Sequence, residues 1–340
     1  MSRRAIGWLG ALGVGVALAG MAVLAQSAGS ADSHVATAKA AVGGPESSVL
    51  FTRLCVPAAP AAPAAAAPAA TQPAAPQGPP PRERWYAEPV KVFDNLYFLG
   101  QTEYTAWAVL TSDGIIVIDP LFEYSVEEEI ANGLVKLGAD PKRIRYVLVS
   151  HAHRDHVGGA RFLQERFGAR VIMSAADWDL LDRAGGSWPK PKRDIVAADG
   201  QRLTLGDTTL TIYHTPGHTL GTVSTIIPVK DGSRTHTAAL WGGTGFNWLG
   251  NGAAYKDQPH RFWFQHYSTS ARRFRDVVAK AGADVLLSNH PNYDGSKTNL
   301  PAIAARKAGE RHPYVIGSDR VRRFLTVAEE CAQAGLGRLS

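Results

Sequence analysis

Ser150-His151-Ala152-His153-Arg154-Asp155-His156-Val157-Gly158-Gly159 places three imidazoles and a carboxylate within six positions, directly after the apolar run Tyr146-Val147-Leu148-Val149. The run has the aliphatic, β-branched character of a buried strand. Gly158-Gly159 marks a turn, after which Phe162, Leu163, Arg166 and Phe167 resume helical spacing. The histidines therefore fall in a strand-to-helix loop. Side chains two apart in extended chain, His151 and His153, can point into one pocket, while Asp155 and His156 turn toward a second point nearby. Protonated imidazoles packed this closely would repel, which makes a metal site the better reading than a polar loop. Catalytic zinc takes three protein groups and a water, so each point needs a further ligand from elsewhere in the chain.

Two later segments offer one. Leu203, Leu205, Leu210 and Ile212 around the Gly206-Asp207 turn read as a hairpin, and Thr215-Pro216-Gly217-His218-Thr219 follows at its end. Val285-Leu286-Leu287-Ser288-Asn289-His290-Pro291 repeats the arrangement of apolar run, then histidine. A lone histidine at a strand end is more often a hydrogen-bonded structural residue than a ligand. With the loop cluster in place, His218 and His290 become the candidates. Strands are expected at Tyr97–Leu99, Trp107–Leu110, Ile115–Asp119 and Tyr146–Val149, and helices at Val126–Leu137 and Gly159–Phe167.

The His-x-His-x-Asp-His motif, the later Thr-Pro-Gly-His-Thr and the Asn-His-Pro together resemble the metallo-β-lactamase superfamily, from about Trp85 to about Arg338. The resemblance implies an α/β fold, a four-layer αβ/βα sandwich with two sheets face to face, helices outside and the metals at one edge. It implies two zinc ions, one held by His151, His153 and His218 and the other by Asp155, His156 and His290. Asp119, ending the early Ile-Asp strand, would fix the ring tautomer of a metal-bound histidine; the plainer alternative is a turn carboxylate.

Branches of the superfamily part at the next ligand. Thioesterases resembling glyoxalase II, and nucleases and phosphodiesterases of the superfamily, bridge both metals with an aspartate, where this chain has Gly243 in Trp241-Gly242-Gly243-Thr244-Gly245-Phe246. A cysteine ligand is also missing, since Cys55 and Cys331 lie outside this region. The remaining set resembles the third subclass of class B β-lactamases. Implied is a zinc-dependent hydrolase that opens β-lactam rings, an antibiotic-resistance activity, by attack of a zinc-bound hydroxide without a covalent intermediate. Asp155 would orient the nucleophile and relay its proton, and Thr244 would position water or substrate unless it is a turn residue. A lactonase, thioesterase or other ester hydrolase on the same two metals is the alternative, with a phosphodiesterase or nuclease behind it. Pro120-Leu121-Phe122 after Asp119, where lactamases usually carry Gly-rich residues, and Thr-Pro-Gly before His218, shared with glyoxalase-like branches, both point toward that alternative. Substrate walls are expected from Tyr104 to Trp107, Gly185 to Pro189, and the aromatic stretch Phe246-Asn247-Trp248 through Phe262-Trp263-Phe264, although such a stripe is most often core packing.

The rest of the chain concerns delivery. Ser2-Arg3-Arg4 precedes an uncharged run from Ala5 to Ala25, which reads as an export signal over residues 1–26 and a periplasmic or secreted enzyme. The run is long enough to span a bilayer, so an anchor formed by residues 5–25 is the rival. Residues 27–84 read as a disordered linker, almost wholly alanine and proline from Pro57 to Pro81, and residues 85–340 as the hydrolase domain. Cys331 sits in an expected helix, Val321 to Ala334; a disulfide with Cys55 would pin the arm to the domain, and two free thiols are the alternative. The formal net charge of +6 comes from scattered basic residues such as Arg272-Arg273 and Arg322-Arg323, without the dense run of a nucleic-acid site. A small-molecule substrate, no nucleic-acid partner and a monomer are expected.

Overall fold

Along Gly114–Ile118, Ile116 and Ile118 face one hydrophobic cluster while Ile115 and Val117 face another. That period-two division is what a strand buried on both faces requires. The computed structural model describes residues 30–56, 78–250, 255–307 and 309–339. The expected signal or anchor, and residues 57–77 of the Ala/Pro stretch, lie outside the described residues.

Seven strands form the first sheet in chain order: β1 (Val90–Phe93), β2 (Leu96–Phe98), β3 (Trp107–Thr111), β4 (Gly114–Ile118), β5 (Ile144–Leu148), β6 (Arg170–Ser174) and β7 (Ile195–Ala197). Pairing is antiparallel from β1 to β4 and parallel from β4 to β7. The second sheet contains β8 (Gln201–Leu205), β9 (Thr208–His214), β10 (Val223–Asp231), β11 (Arg234–Trp241) and β12 (Val285–Ser288). It is antiparallel from β8 to β11, and β12 adds in parallel to β11.

Between the sheets, Phe98, Trp107, Ile116, Leu148 and Ile172 meet Leu210, Ile212, Ile227, Leu240 and Leu287. Helices cover both outer faces, giving the four layers that the resemblance implies. Outside the first sheet lie the helical stretch Glu127–Asn132 with Gly133–Lys136, then Arg154–Val157, Ala160–Phe167 and Ala175–Arg183. Ile130, Leu134, Val157, Leu163, Trp178 and Leu181 bury their side chains against Val117, Val147 and Val171 there. Outside the second sheet lie the long helices His260–Ala281 and Ser318–Gly337, packed on Ala239, Trp241 and Leu286. No helix among the described residues is long and apolar enough to cross a membrane.

The arm corrects the expectation of a linker over residues 27–84. Ala31–Ala41 and Pro45–Leu54 are helices that belong to the folded unit. Ser30 caps the first by accepting from the Ser33 N–H, and Pro45 opens the second, where its missing N–H costs nothing. Ala38, Ala41, Leu50 and Leu54 enter the same cluster as Phe324, Ala328 and Ala332 of the C-terminal helix. Short helices gain most of their stability from such packing, which local composition does not reveal. Polar contacts fix the docking: Glu46 pairs with Arg320 at 2.7 Å, and Arg323 donates to the Ala40, Ala41 and Val42 carbonyls. Cys55 and Cys331 form a disulfide across 276 positions of sequence, as considered from the sequence.

Candidate metal centre

All the chemistry-bearing residues leave strands at one edge of the sandwich. β4 runs into Asp119, β5 into Ser150-His151, β9 into Thr215-Pro216-Gly217-His218, and β12 into Asn289-His290. Ligand sites gather beyond the carboxyl ends of parallel strands because the chain there is free to form loops. Gly217 is required in its loop. Its φ is +145°, and a Cβ there would lie 2.6 Å from the Tyr267 backbone. The two sheets are tied at this edge, where the Val223 N–H donates to the Ser150 carbonyl at 2.8 Å.

The six expected ligands come together in two groups. His151, His153 and His218 bring donor atoms within 4.8 Å of one another, and so do Asp155, His156 and His290. Hydrogen bonds to the outer ring nitrogens assign the tautomers, since a carbonyl can only accept. His151 Nδ1 faces the Gly242 carbonyl at 2.9 Å, His218 Nδ1 the Gly245 carbonyl at 2.8 Å, and His290 Nδ1 the Glu103 carbonyl at 3.0 Å. Each therefore carries its proton outward and turns a bare Nε2 inward. Tyr255 donates its hydroxyl to the His218 carbonyl at 3.1 Å, so its oxygen accepts from His153 Nε2 at 2.9 Å and leaves His153 Nδ1 bare. His151 Nε2 is buried without any hydrogen-bond partner.

In the second group, His156 Nε2 lies 2.9 Å from Asp155 Oδ2 and His156 Nδ1 lies 3.1 Å from Asp119 Oδ2. Neither contact has the alignment of a hydrogen bond, although both are short enough for an ion pair. Asp119 thus stands where it would orient the His156 ring. Its φ of +57° is unusual for a residue with a side chain, and the loop holds it there because its carboxylate accepts from the Ser150 N–H and hydroxyl, each at 2.7 Å.

Electrostatics agree with a ligand role. Burial, with the neighbouring imidazoles, pushes His151 and His218 well below the usual histidine range, and burial lowers His153 to about 4. Burial, then His156, lowers His290. All four are neutral at pH 7 and can offer lone pairs. Burial acts to raise Asp155, and the His156 charge overrides it and holds the carboxylate ionised. Burial likewise opposes the charged form of His156, and Asp155 and Asp119 outweigh it and raise the group. Converging lone pairs, an orphaned buried nitrogen and a buried carboxylate fit the binding of divalent metal.

A cavity of about 510 Å³ opens above the ligands, lined by His153, Asp155, His218 and His290 together with Thr244, Tyr104 and Arg53. Thr244 is buried, and no hydrogen bond occupies its hydroxyl among the described residues. Gly243 is closed to any side chain, for a Cβ would lie 2.4 Å from His218 Cβ and 2.9 Å from its Cγ.

Several expected walls are elsewhere. Trp107 belongs to the core between the sheets, and Trp248, Trp263 and Phe264 are buried in the cluster beneath the C-terminal helix. The aromatic stripe packs because helix His260–Ala281 must bury its apolar face. Gly185 to Pro189 does not line this cavity; Trp188 packs beside the helices of the first sheet.

Sequence reading missed the residues that hold the ligands from behind. Asp177 accepts from the Ala152 N–H at 2.8 Å, the Thr219 hydroxyl at 2.9 Å and the Gly221 N–H at 2.9 Å, clamping the His151 and His218 loops together. Asn289 donates to the Gly242 carbonyl at 2.7 Å. Ser150 and Asn289 each directly precede a ligand and could have been found by that adjacency; Asp177, Tyr255 and Arg53 carry no such signal.

Comparison with known proteins agrees with this geometry. Residues 99–231 match the family model described as the metallo-beta-lactamase superfamily. The structure is similar to that of BJP-1, a subclass B3 metallo-beta-lactamase of Bradyrhizobium japonicum, at 27% identity and a TM-score of 0.56, covering 73% of this chain and 94% of that one. The chain is 35% identical over 121 residues to the hydroxyacylglutathione hydrolase of Pseudomonas aeruginosa, covering 35% of this chain and only 40% of that protein. It is 31% identical over 205 residues to the hydroxyacylglutathione hydrolase of Acidiphilium cryptum, covering 60% of this chain and 73% of that one. By that shared sequence and fold, the chain belongs to the metallo-beta-lactamase superfamily of metal-dependent hydrolases.

Proposed function

We propose that the chain is a β-lactam hydrolase working with two zinc ions, one on His151, His153 and His218 and the other on Asp155, His156 and His290. The closed position at Gly243 carries this reading: a side chain there collides with His218, so no carboxylate can bridge the metals from that loop. An all-histidine site beside an Asp-His-His site without a bridging carboxylate resembles the third subclass of class B β-lactamases, and the likeness to BJP-1 supports it.

Zinc bound at such a site lowers the pKa of a coordinated water from about 15.7 to about 7 and polarises a carbonyl oxygen. The protein does the rest. Gly242, Gly245, Glu103 and Tyr255 hold the ring tautomers, and Asp155, kept ionised, accepts the proton of the attacking water. As water oxygen bonds to the ring carbonyl carbon, the carbon–nitrogen bond breaks and the nitrogen takes that proton. Thr244 faces the cavity with a free hydroxyl suited to positioning the substrate.

The likeness to hydroxyacylglutathione hydrolases favours a second reading, hydrolysis of a thioester or other ester on the same metals. Turnover of penicillins, cephalosporins and carbapenems by the zinc-loaded protein, measured beside lactones, thioesters and phosphodiesters, separates the two. Robust thioester or lactone cleavage without β-lactam opening would select the second.

We place this activity outside the cytoplasm. The Cys55–Cys331 disulfide supports export, because such bonds persist in oxidising compartments. Fractionation of the native host, with the protein found among cytoplasmic markers, would refute it.

A further inference from the structure

Among the described residues, the only lysine or arginine lining the metal cavity comes from the arm. Arg53 sits in the last turn of the helix Pro45–Leu54 and reaches the cavity that His153, Asp155, His218 and His290 line. The two residues that follow it are anchored: Leu54 and Cys55 are buried, Cys55 is bonded to Cys331, and Arg338 donates to the Cys55 carbonyl at 3.0 Å. The guanidinium is therefore presented from a fixed base.

No carboxylate of the described residues pairs with Arg53. Glu103, the nearest acid on the cavity wall that binds no metal, is engaged by Lys297 and by Asn292. Asp155 faces His156. Arg53 interacts with the hydroxyl of Tyr293, a neutral group that leaves the positive charge uncompensated. A planar guanidinium with several donors in one fork matches a carboxylate better than any other common anion-binding side chain does.

We propose that Arg53, delivered by the docked arm and held by the Cys55–Cys331 disulfide, binds a carboxylate of the substrate and sets specificity for anionic substrates. This rests on the dimetal hydrolase reading. It adds that the arm completes the substrate site, so a protein lacking the arm would keep its metals and lose its preference for acids.

An arginine in a last helical turn also complements the helix dipole, a role that affects stability and leaves ligand choice alone. A binding experiment separates the roles without relying on turnover. The probes are N-(mercaptoacetyl)phenylalanine, whose thiol takes zinc, and the same compound with its carboxylate converted to the primary amide. Calorimetry on the full, zinc-loaded chain is expected to show the acid binding about ten- to a hundredfold tighter than the amide, the range for a charge-assisted hydrogen bond. Arg53→Ala should bring the acid down to the affinity of the amide and leave the amide unchanged. Arg53→Lys should retain part of the preference, and Cys55→Ser with Cys331→Ser should lose it as the arm loosens.

Equal binding of acid and amide by the parent protein, or an acid preference that survives Arg53→Ala, would overturn the assignment to Arg53. A preference that survives loss of the disulfide would overturn the role of the bond. Failure of both probes to bind at all would instead defeat the metal-centre reading, and this inference with it.

Discussion

His153 Nδ1 and His218 Nε2 lie 3.1 Å apart, each left without a proton by the bond that its other ring nitrogen makes. Two lone pairs so close are mutually repulsive unless a cation or a proton lies between them. Tyr255 creates half of this arrangement by accepting the His153 Nε2 proton. Tyr255→Phe should therefore weaken metal binding at this group about ten- to a hundredfold, the usual effect of losing an outer partner of a ligand histidine. Competition with a chromogenic chelator measures it, and the far-ultraviolet circular dichroism should not change.

His290 is the candidate ligand that follows the last strand of the second sheet. His290→Ala should reduce tightly bound zinc from two ions per chain to one, as read by metal analysis after exhaustive dialysis. Two ions retained would refute the assignment of the second group.

At Gly243 the expected effect is steric. Gly243→Ala puts a methyl against His218 Cβ and Thr222 Cγ2, and such overpacking costs about 1–3 kcal/mol of stability. Zinc affinity should fall with it as His218 moves. Gly243→Asp should be no better than alanine, because His218 obstructs the position before the carboxylate can reach a metal.

Glu129 sets a pH dependence far from the metals. Burial, with Glu128 adding to it, raises this carboxyl to about 8, against the Ala87 N–H and the Arg82 and Lys136 charges. Its Oε2 is buried without a partner. A folded pKa above the unfolded value of about 4.3 means that the folded state binds the proton more tightly. The stabilisation is complete below about pH 4 and is lost as pH rises through 8. At about 1.4 kcal/mol per unit, the loss is on the order of 5 kcal/mol. Glu129→Gln keeps an acceptor for Ala87 and should flatten the curve between pH 5 and pH 9 in urea titrations.

The arm gives a stability prediction. The Cys55–Cys331 bond spans 276 positions, and the chain-entropy model assigns such a loop about 5.6 kcal/mol. Cys55→Ser with Cys331→Ser should lower the urea midpoint. Hydrogen exchange should rise first in Ala31–Ala41 and Pro45–Leu54, whose packing the bond secures.

Much of this site was legible early, for a physical reason. His151, His153, Asp155 and His156 lie within one loop, and backbone geometry alone decides that they face neighbouring points. Strands such as Gly114–Ile118 announce themselves through apolar runs because both faces are buried. The arm helices are not legible in this way, because the short segments Ala31–Ala41 and Pro45–Leu54 have no strong pattern of their own, and the C-terminal helix supplies the apolar surface they need.

The amino-acid sequence by itself determined the donor types, their spacing in the loop, the glycine at position 243 and the alternation of strands and helices. These are properties of residues near one another in the chain. Only the tertiary structure decided which nitrogen of each ring turns inward, that Tyr255 supports His153 from 102 positions away, that Gly243 is sterically closed, and that Arg53 reaches the metal cavity. Each of those depends on how two sheets and a docked arm meet, and side-chain contacts across that packing leave no period in the sequence.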